Sequence, residues 1–410
     1  TGSGLASDWS PYAGSNYAHH PPLVNGLHVA IASIFGIGEW QLRLLGYVSG
    51  LVTIIGMVVL LRDLRLRWSA VLLAVAVTIS TGYFWLFARL GLGIALIVWT
   101  VVAIRRLVEA TDPSGWLTGA AAVLSFATVV SSWQGMALAA LLGIWLWSRR
   151  GFDRPTLIVG IAMTLAALAV GGWIASASGI GSLVAHVEDR SSAVEFGVIE
   201  FVIRQLAYFW LFLPVWYLAL TIPALIAGLR NESTRALTAI TFGITVLFSL
   251  ALFENSYVHE YWNYPLLLPV VIGMAVLFDR WITSGRRRPM IGLWLVGLAA
   301  AGWLGFLSLG GTSQERFEGP AAAGSLVEIT APAPGQERAF FAGVAAPRWL
   351  SYYWNLPVGP LTPDLLRTLP SETRAVLYLE DLPSWIPDDV EDYALAVDGD
   401  YAVVEVDALR

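Results

Sequence analysis

Histidine is a residue type in this chain that can bind either a metal ion or a phosphate. The chain contains no cysteine, so any metal ion must be held by histidine, aspartate or glutamate. All five histidines lie outside the long apolar runs or at their boundaries: His19, His20, His28, His186 and His259. Histidine and arginine can stabilise the negative charge of a phosphate, and a nearby carboxylate can accept a proton.

The first candidate site is the pair His19 and His20, which directly precedes Pro21 and Pro22. Proline suits the first turn of a helix, where its missing N–H costs nothing. The two imidazoles are therefore expected just before a helix N-terminus, whose free amides and positive dipole end favour an anion. They could bind a divalent cation, donate hydrogen bonds to a phosphate, or cap the helix.

The second candidate site surrounds His259, with Glu254, Glu260 and Tyr261 nearby and an apolar run that begins at Pro265. An aromatic belt at the membrane boundary would explain the tyrosine and tryptophan residues of this segment. It would not explain the histidine and the two carboxylates, because ionisable residues at that boundary are costly unless they are hydrated or used.

Two weaker candidates lie elsewhere. Arg89 stands between two apolar runs, where it could pair with a phosphate or extend its side chain towards water. The loop 176–204 contains His186, Glu188 and Asp189, and its length and charge suit a mobile flap over an acceptor groove. A solvated loop without a function is the alternative.

The composition determines which elements must position these residues. Hydrophobic residues make up 57% of the 410 positions and charged residues only 13%, which excludes an ordinary soluble domain. A membrane-spanning helix needs roughly 20 apolar residues, and about ten windows qualify. They are residues 41–61, 69–87, 89–108, 116–131, 134–148, 155–175, 205–228, 236–253, 264–281 and 290–310.

Arginine predicts the orientation of these spans. All 24 basic residues are arginine, and most of those in the predicted bundle cluster in every second loop, which makes those loops cytoplasmic. The histidines lie on the opposite, extracytoplasmic side. Short basic loops do not form a continuous basic patch, so the sequence indicates no nucleic-acid partner.

The composition changes after Gly311, where proline, glycine and acidic residues become frequent. We expect three regions: an outer loop with interfacial helices at 1–40, a transmembrane helix bundle at 41–310, and a small extracytoplasmic α/β domain at 311–410. In that last domain, residues 374–380, 393–397 and 401–406 read as strands and 363–369 as a short helix.

Two segments resemble one known superfamily. The first runs from Asp8 to Asp63 and the second from His259 to Pro269. The matching residues of the first segment are Asp8-Trp9, Pro11-Tyr12, His20-Pro21-Pro22-Leu23, Phe35-Gly36, Arg43-Leu44 and Leu61-Arg62-Asp63. The second resembles a His-x-Tyr-Tyr motif followed by a helix rich in leucine and proline. Both are similar to the protein O-mannosyltransferase and aminoarabinose transferase superfamily.

This resemblance implies the GT-C fold, which is an all-α polytopic membrane helix bundle, and transfer of a sugar from a polyprenyl-phosphate donor. It implies that His20, in place of the usual lysine, contacts the donor phosphate, as Arg89 could. Tyr261 would face the donor. His19 would stand at a metal-binding position, His259 would bind a metal ion or the phosphate, and Glu260 is a further candidate ligand for a divalent metal ion.

In the superfamily, the catalytic acid lies before the motif that corresponds to Asp8-Trp9. It is therefore expected ahead of Thr1, together with a first span. Asp8 is the only acidic residue before His19 and is the candidate within this chain. The acceptor would be a protein, lipid or glycan at the outer face of the cell membrane.

A transporter or flippase of a lipid-linked anion is the alternative function, and a non-catalytic relative is another. The span centres contain almost no charge, which argues against a transporter.

Overall fold

The computed structural model consists of two compact units, and each is described by itself. The described residues are 21–36, 39–87, 92–177, 179–181, 184, 197–213, 215–251, 256–257, 260–285, 332–342, 358–379, 382–387, 389–398 and 401–410.

The larger unit is a helix bundle, as expected for a chain whose backbone polar groups must be satisfied inside a membrane. Its helices are α1 (Leu23–Phe35), α2 (Glu39–Asp63), α3 (Trp68–Ile79), α4 (Gly82–Phe87), α5 (Leu92–Glu109), α6 (Gly115–Val129), α7 (Trp133–Arg150), α8 (Arg154–Ala177), α9 (Val198–Phe212), α10 (Val215–Arg230), α11 (Arg235–Ala251) and α12 (Leu267–Thr283). A 3-10 helix, Glu260–Leu266, leads into α12.

Helix α12 is the most deeply buried of the described helices that are long and apolar enough to cross a membrane. It packs against α10, α3 and α11, and α5 packs in turn against α2, α6 and α7. The contact with α10 is very close, because a Cβ atom at Gly273 would overlap the backbone carbonyl of Ala224. Only glycine at position 273 allows the two backbones to approach in this way.

One end of the bundle gathers the arginines, as the sequence predicts. Arg106 of α5 forms two hydrogen bonds, of 2.6 and 3.0 Å, with Asp63 of α2. Arg150 of α7 donates a 3.0 Å hydrogen bond to the carbonyl of Leu107 at the end of α5, and Arg67 lies 3.8 Å from Asp279 of α12. These helix ends therefore share one side of the bundle. That this side faces the cytoplasm stays a prediction.

Two of the windows predicted as spans, 205–228 and 69–87, are each divided into two helices. Helices α9 and α10 meet at an angle of 106°. Leu213, which precedes Pro214, is extended with φ −118° and ψ 122°, since a residue before proline avoids the helical region. Between α3 and α4, the Thr81 hydroxyl accepts a hydrogen bond from the amide of Phe84 and so starts a new helix.

By length and composition alone, three of the described helices can cross a membrane, or four if the bent pair of α9 and α10 counts as one span. The three are Leu44–Asp63, Arg154–Ser176 and Asn263–Thr283. The predicted window 290–310 lies outside the described residues. The total of about ten spans therefore stays a prediction.

The smaller unit is a five-stranded sheet with short helical segments. Its strands are β1 (Ala339–Ala342), β2 (Val358–Pro360), β3 (Arg374–Tyr378), β4 (Ala396–Asp398) and β5 (Tyr401–Glu405), in the order β2-β1-β3-β5-β4. Strand β1 runs parallel to β2 and β3, and β5 runs antiparallel to β3 and β4. The mixed sheet confirms the predicted α/β character.

Strands β3 and β5 and the helix Pro363–Leu366 lie where the sequence predicts them. The strand predicted at 393–397 is wrong in its first part, because Val390–Tyr393 forms a 3-10 helix and β4 begins only at Ala396. Strands β1 and β2 were not predicted. All four residues of β1 are buried. The strand therefore lacks the alternation of polar and apolar residues by which a strand is predicted from sequence.

The close approach at Gly273 gives the first prediction. Gly273→Ala should lower the free energy of unfolding by roughly 1–3 kcal/mol, because the new methyl group overlaps the backbone of Ala224. Gly160→Ala on α8 is the matched control, because a Cβ atom there meets nothing within 4 Å. Thermal unfolding in detergent would show the difference. Equal melting temperatures for the two variants would contradict the packing of α10 against α12.

Candidate functional site

The turn between α6 and α7, Val130–Ser132, is the point where several parts of the bundle meet. The backbone amide of Leu23, at the start of α1, donates a 3.1 Å hydrogen bond to the carbonyl of Val130. The Ser132 hydroxyl caps α7 by accepting a 2.9 Å hydrogen bond from the amide of Gly135. The turn is thus joined to α7 by the Ser132 cap and to the start of α1 by the carbonyl of Val130.

The start of α1 also packs on an apolar cluster from the ends of α6, α7 and α8. Leu23 contacts this cluster, whose buried members include Val129, Val170 and Ile174. Pro22 precedes the helix with φ −82°, and its carbonyl accepts the first helical hydrogen bond, from Gly26. This confirms the prediction that the two prolines begin a helix.

Two further elements reach the same turn. A Cβ atom at Gly93, near the start of α5, would lie 3.6 Å from the Ser132 hydroxyl oxygen and 3.8 Å from the hydroxyl oxygen of Tyr264 in the 3-10 helix. The described residues that follow His20, Arg89 and His259 in the chain therefore converge on the α6–α7 turn.

A small pocket lies beside this junction. Its lining is mainly apolar and includes one buried amide, that of Gln134. The lining residues are Ile94, Ile97, Gln134, Leu138, Thr241, Ile244, Pro265 and Leu268. The pocket thus joins residues of α5, α7, α11, α12 and the 3-10 helix, but its few polar atoms do not make it a substrate site by themselves.

A buried network of polar side chains fixes the 3-10 helix. The Asn263 amide donates to the carbonyl oxygen of the Gln205 side chain at 2.5 Å and accepts a 3.0 Å hydrogen bond from the Ser249 hydroxyl. The Gln205 amide in turn donates a 2.7 Å hydrogen bond to the backbone carbonyl of Ser256. Asn263 is only 3% exposed and Gln205 only 9%, so these bonds are made away from water.

The α9 polar face, which we define as Glu200, Arg204, Gln205 and Tyr208, also holds Tyr257. The Tyr257 hydroxyl donates a 2.6 Å hydrogen bond to Glu200, and the Tyr208 hydroxyl donates one of 2.6 Å to the backbone carbonyl of Tyr257. The guanidinium of Arg204 lies 5.4 and 5.3 Å from the ring centres of Tyr208 and Tyr257.

The electrostatics of this contact stabilise the neutral form of Tyr257. The hydrogen bond to Glu200 raises the pKa of the Tyr257 hydroxyl, and burial and the negative charge of Glu200 raise it further. Arg204 acts in the opposite direction. Tyr257 is therefore a hydrogen-bond donor at neutral pH, and Arg204 is a cation beside the segment that leads to His259.

Most of the residues predicted from the sequence lie outside the described part of the chain. They are Asp8, His19, His20, Arg89, His186, Glu188, Asp189 and His259. For Glu260 and Tyr261 the structure describes the backbone, which belongs to the 3-10 helix, and not the side chains. The roles predicted for all ten residues stay predictions.

The described histidine, His28, has a structural explanation. Its Nδ1 atom lies 3.1 Å from the carbonyl oxygen of Val24, one turn earlier in α1. Within the described residues there is no group of three or more histidine, aspartate or glutamate side chains that could hold a metal ion. The predicted metal site, made of His19, His259 and Glu260, depends on side chains beyond this part of the chain.

The sequence interpretation missed the α9 polar face, although the predicted loop 176–204 includes Glu200 and ends at Arg204. A signal was present, because Glu200, Arg204 and Tyr208 are spaced at four-residue intervals and so share one face of a helix. Gln205 was included in a predicted span as if it were an isolated polar residue. Its partner, Asn263, is 58 residues away in the chain.

The chain is similar to known membrane glycosyltransferases. Residues 19–173 match the family described as dolichyl-phosphate-mannose-protein mannosyltransferase. These residues include the His19-His20 pair and the α6–α7 turn, and they exclude His259. Among curated protein sequences, none matches this chain.

Two solved structures share the fold over nearly the whole chain. ArnT from Cupriavidus metallidurans bound to undecaprenyl phosphate has a TM-score of 0.62 at 14% sequence identity, covering 96% of this chain and 88% of ArnT. The apo state of the same protein has a TM-score of 0.60 at 15% identity, covering 97% and 90%. By these matches, the chain has the GT-C fold of membrane glycosyltransferases and is similar to the protein mannosyltransferases and to ArnT.

Proposed function

We propose that the chain is an integral-membrane glycosyltransferase that moves a sugar from a polyprenyl-phosphate donor to an acceptor protein, lipid or glycan. The observation that carries this proposal is the convergence at the α6–α7 turn. There the start of α1 bonds to Val130, and Gly93 lies beside Ser132 and Tyr264. Three segments that each follow a predicted phosphate-binding residue thus meet at one place.

The donor phosphate requires cations and hydrogen-bond donors. We assign this role to His20 and Arg89, with Tyr261 facing the donor. Arg204 adds a described cation at the same end of the bundle, held between two tyrosine rings. Arginine suits the task because its guanidinium stays charged and matches the geometry of phosphate oxygens.

In the transfer step, an acceptor oxygen forms a bond to the anomeric carbon of the sugar while the bond from that carbon to the phosphate oxygen breaks. A carboxylate takes the acceptor proton. The polyprenyl phosphate leaves with one more negative charge than the phosphodiester donor carries, and the cationic residues stabilise this additional charge. His19, His259 and Glu260 would hold a divalent metal ion, which would supply further positive charge.

The membrane supplies the donor to this site. The exposed sides of α2 and α8 are apolar, with Leu51 at 59% and Leu168 at 66% exposure, as expected for helices that face lipid. ArnT was crystallised with undecaprenyl phosphate, and the shared fold favours a donor of the same chemical class. We further propose that the chain is a multi-pass protein of the cell membrane, with its active face and its C-terminal unit extracytoplasmic.

Histidine variants test the donor site. His20→Ala and His259→Ala should each weaken the binding of a polyprenyl phosphate in detergent micelles by about 10- to 100-fold, because each removes a hydrogen bond to a charged group. His28→Ala is the matched control, because the described contact of His28 is with its own helix, and it should bind as the unchanged protein does. Unchanged binding in both site variants would remove these residues from the proposed site.

Glycine variants test the convergence itself. Gly93→Ala should be tolerated, since its Cβ atom would meet Ser132 and Tyr264 at ordinary contact distances. Gly93→Val places two methyl groups on that Cβ atom, in the same space, and should lower sugar transfer at least about 10-fold. Gly119→Val is the control, because Gly119 faces open space on α6. Equal transfer rates for the two valine variants would contradict the role of this junction.

A transfer assay separates the enzyme from a transporter. The protein expressed from its complete gene and reconstituted in vesicles should convert a labelled polyprenyl-phosphate sugar into labelled acceptor and free polyprenyl phosphate. Movement of the intact labelled lipid across the bilayer, without release of polyprenyl phosphate, would support a flippase and overturn the proposed function.

A further inference from the structure

Helix α9 has two faces that serve different surroundings. Ile199, Ile203, Leu206 and Trp210 lie along one side and are 77%, 61%, 60% and 68% exposed. The α9 polar face lies on another side. An exposed apolar stripe is unfavourable in water and favourable against lipid. Helix α9 does not continue the axis of α10, because the two helices meet at 106°. Helix α9 therefore has one side suited to lipid and one side bound to protein.

The α9 polar face binds one segment on both sides of the predicted site residues. Before the stretch 258–262, Gln205 bonds to the carbonyl of Ser256 and Tyr208 to that of Tyr257. After the stretch, Gln205 bonds to Asn263. The stretch between these anchors is five residues long and contains His259, Glu260 and Tyr261. The described anchors thus flank these three residues on both sides.

The network has the properties of a rigid support. Each amide group uses its oxygen as an acceptor and its nitrogen as a donor, from Ser249 through Asn263 and Gln205 to Ser256. Buried networks with every member bonded resist rearrangement, because breaking one bond leaves a buried polar group without a partner. Ser249 belongs to α11, so the stretch is tied to α9 and α11 together.

We propose that Gln205 and Asn263 are positioning residues that hold the stretch 258–262 in the orientation required to bind the donor phosphate. This inference rests on the proposed function, because the group to be positioned is the one that would contact the donor. Neither amide is assigned contact with the donor itself. Their effect passes through the backbone of the stretch between the two anchors.

A double-variant cycle separates positioning from stability. Gln205→Leu alone leaves the Asn263 amide without its acceptor, so both the melting temperature and the affinity for a polyprenyl phosphate should fall. Asn263→Leu alone should do the same. In the double variant, two apolar side chains face each other, so part of the loss in melting temperature should be recovered. The affinity should stay at least about 10-fold below that of the unchanged protein, because the two hydrogen bonds that Gln205 makes on either side of the stretch remain broken.

A buried hydroxyl outside the network provides the control. Thr118→Val removes a buried hydroxyl that bonds to the carbonyl of Ser114, the residue that caps α6, and should leave the affinity unchanged. If affinity recovers with melting temperature in the double variant, the network is only structural and the positioning role is wrong. If the unchanged protein binds no polyprenyl phosphate, the proposed function fails and the positioning role fails with it.

Discussion

In a membrane, each buried polar group must find its partner inside the protein, and the structure depends on this constraint at every level. Within helices, hydroxyls bond to the preceding turn, as Thr53 does to the carbonyl of Ser49 at 2.7 Å. At one end of the bundle, arginines are paired with carboxylates, as Arg106 is with Asp63. Around the 3-10 helix, the partners are neutral amides instead of charged groups. The hydrogen bond from Asn263 to Gln205 joins the 3-10 helix to α9.

The two ends of the bundle therefore have different physical roles. The arginine end is tied by ion pairs and helix-end contacts, which fix how α2, α3, α5, α7 and α12 meet. The end that carries the α6–α7 turn is joined by neutral hydrogen bonds and by close contacts such as that of Gly93 with Ser132. There Arg204 is held against tyrosine rings, which do not neutralise its positive charge.

The similarity to ArnT shows how far a fold can persist when its sequence changes. At 14% identity, nearly the whole chain follows the same path. The elements that the bilayer imposes are apolar helices of sufficient length, with arginine at one end. Many side chains satisfy these requirements. The polar contacts that hold the 3-10 helix are more specific, because each depends on two side chains of matching length.

Much of the fold followed from the sequence alone, because apolar length, arginine spacing and proline act locally. These features indicated the helix bundle, the arginine end, the start of α1 at Pro22, and strands β3 and β5. The break before Pro214 was available from the same local rule and was overlooked. Only the tertiary structure showed that Gln205 pairs with Asn263, that Gly273 lies against Ala224, and that Gly93, Ser132 and Tyr264 meet. Each of these contacts joins residues far apart in the chain, and its strength depends on packing geometry, which neither residue type nor spacing encodes.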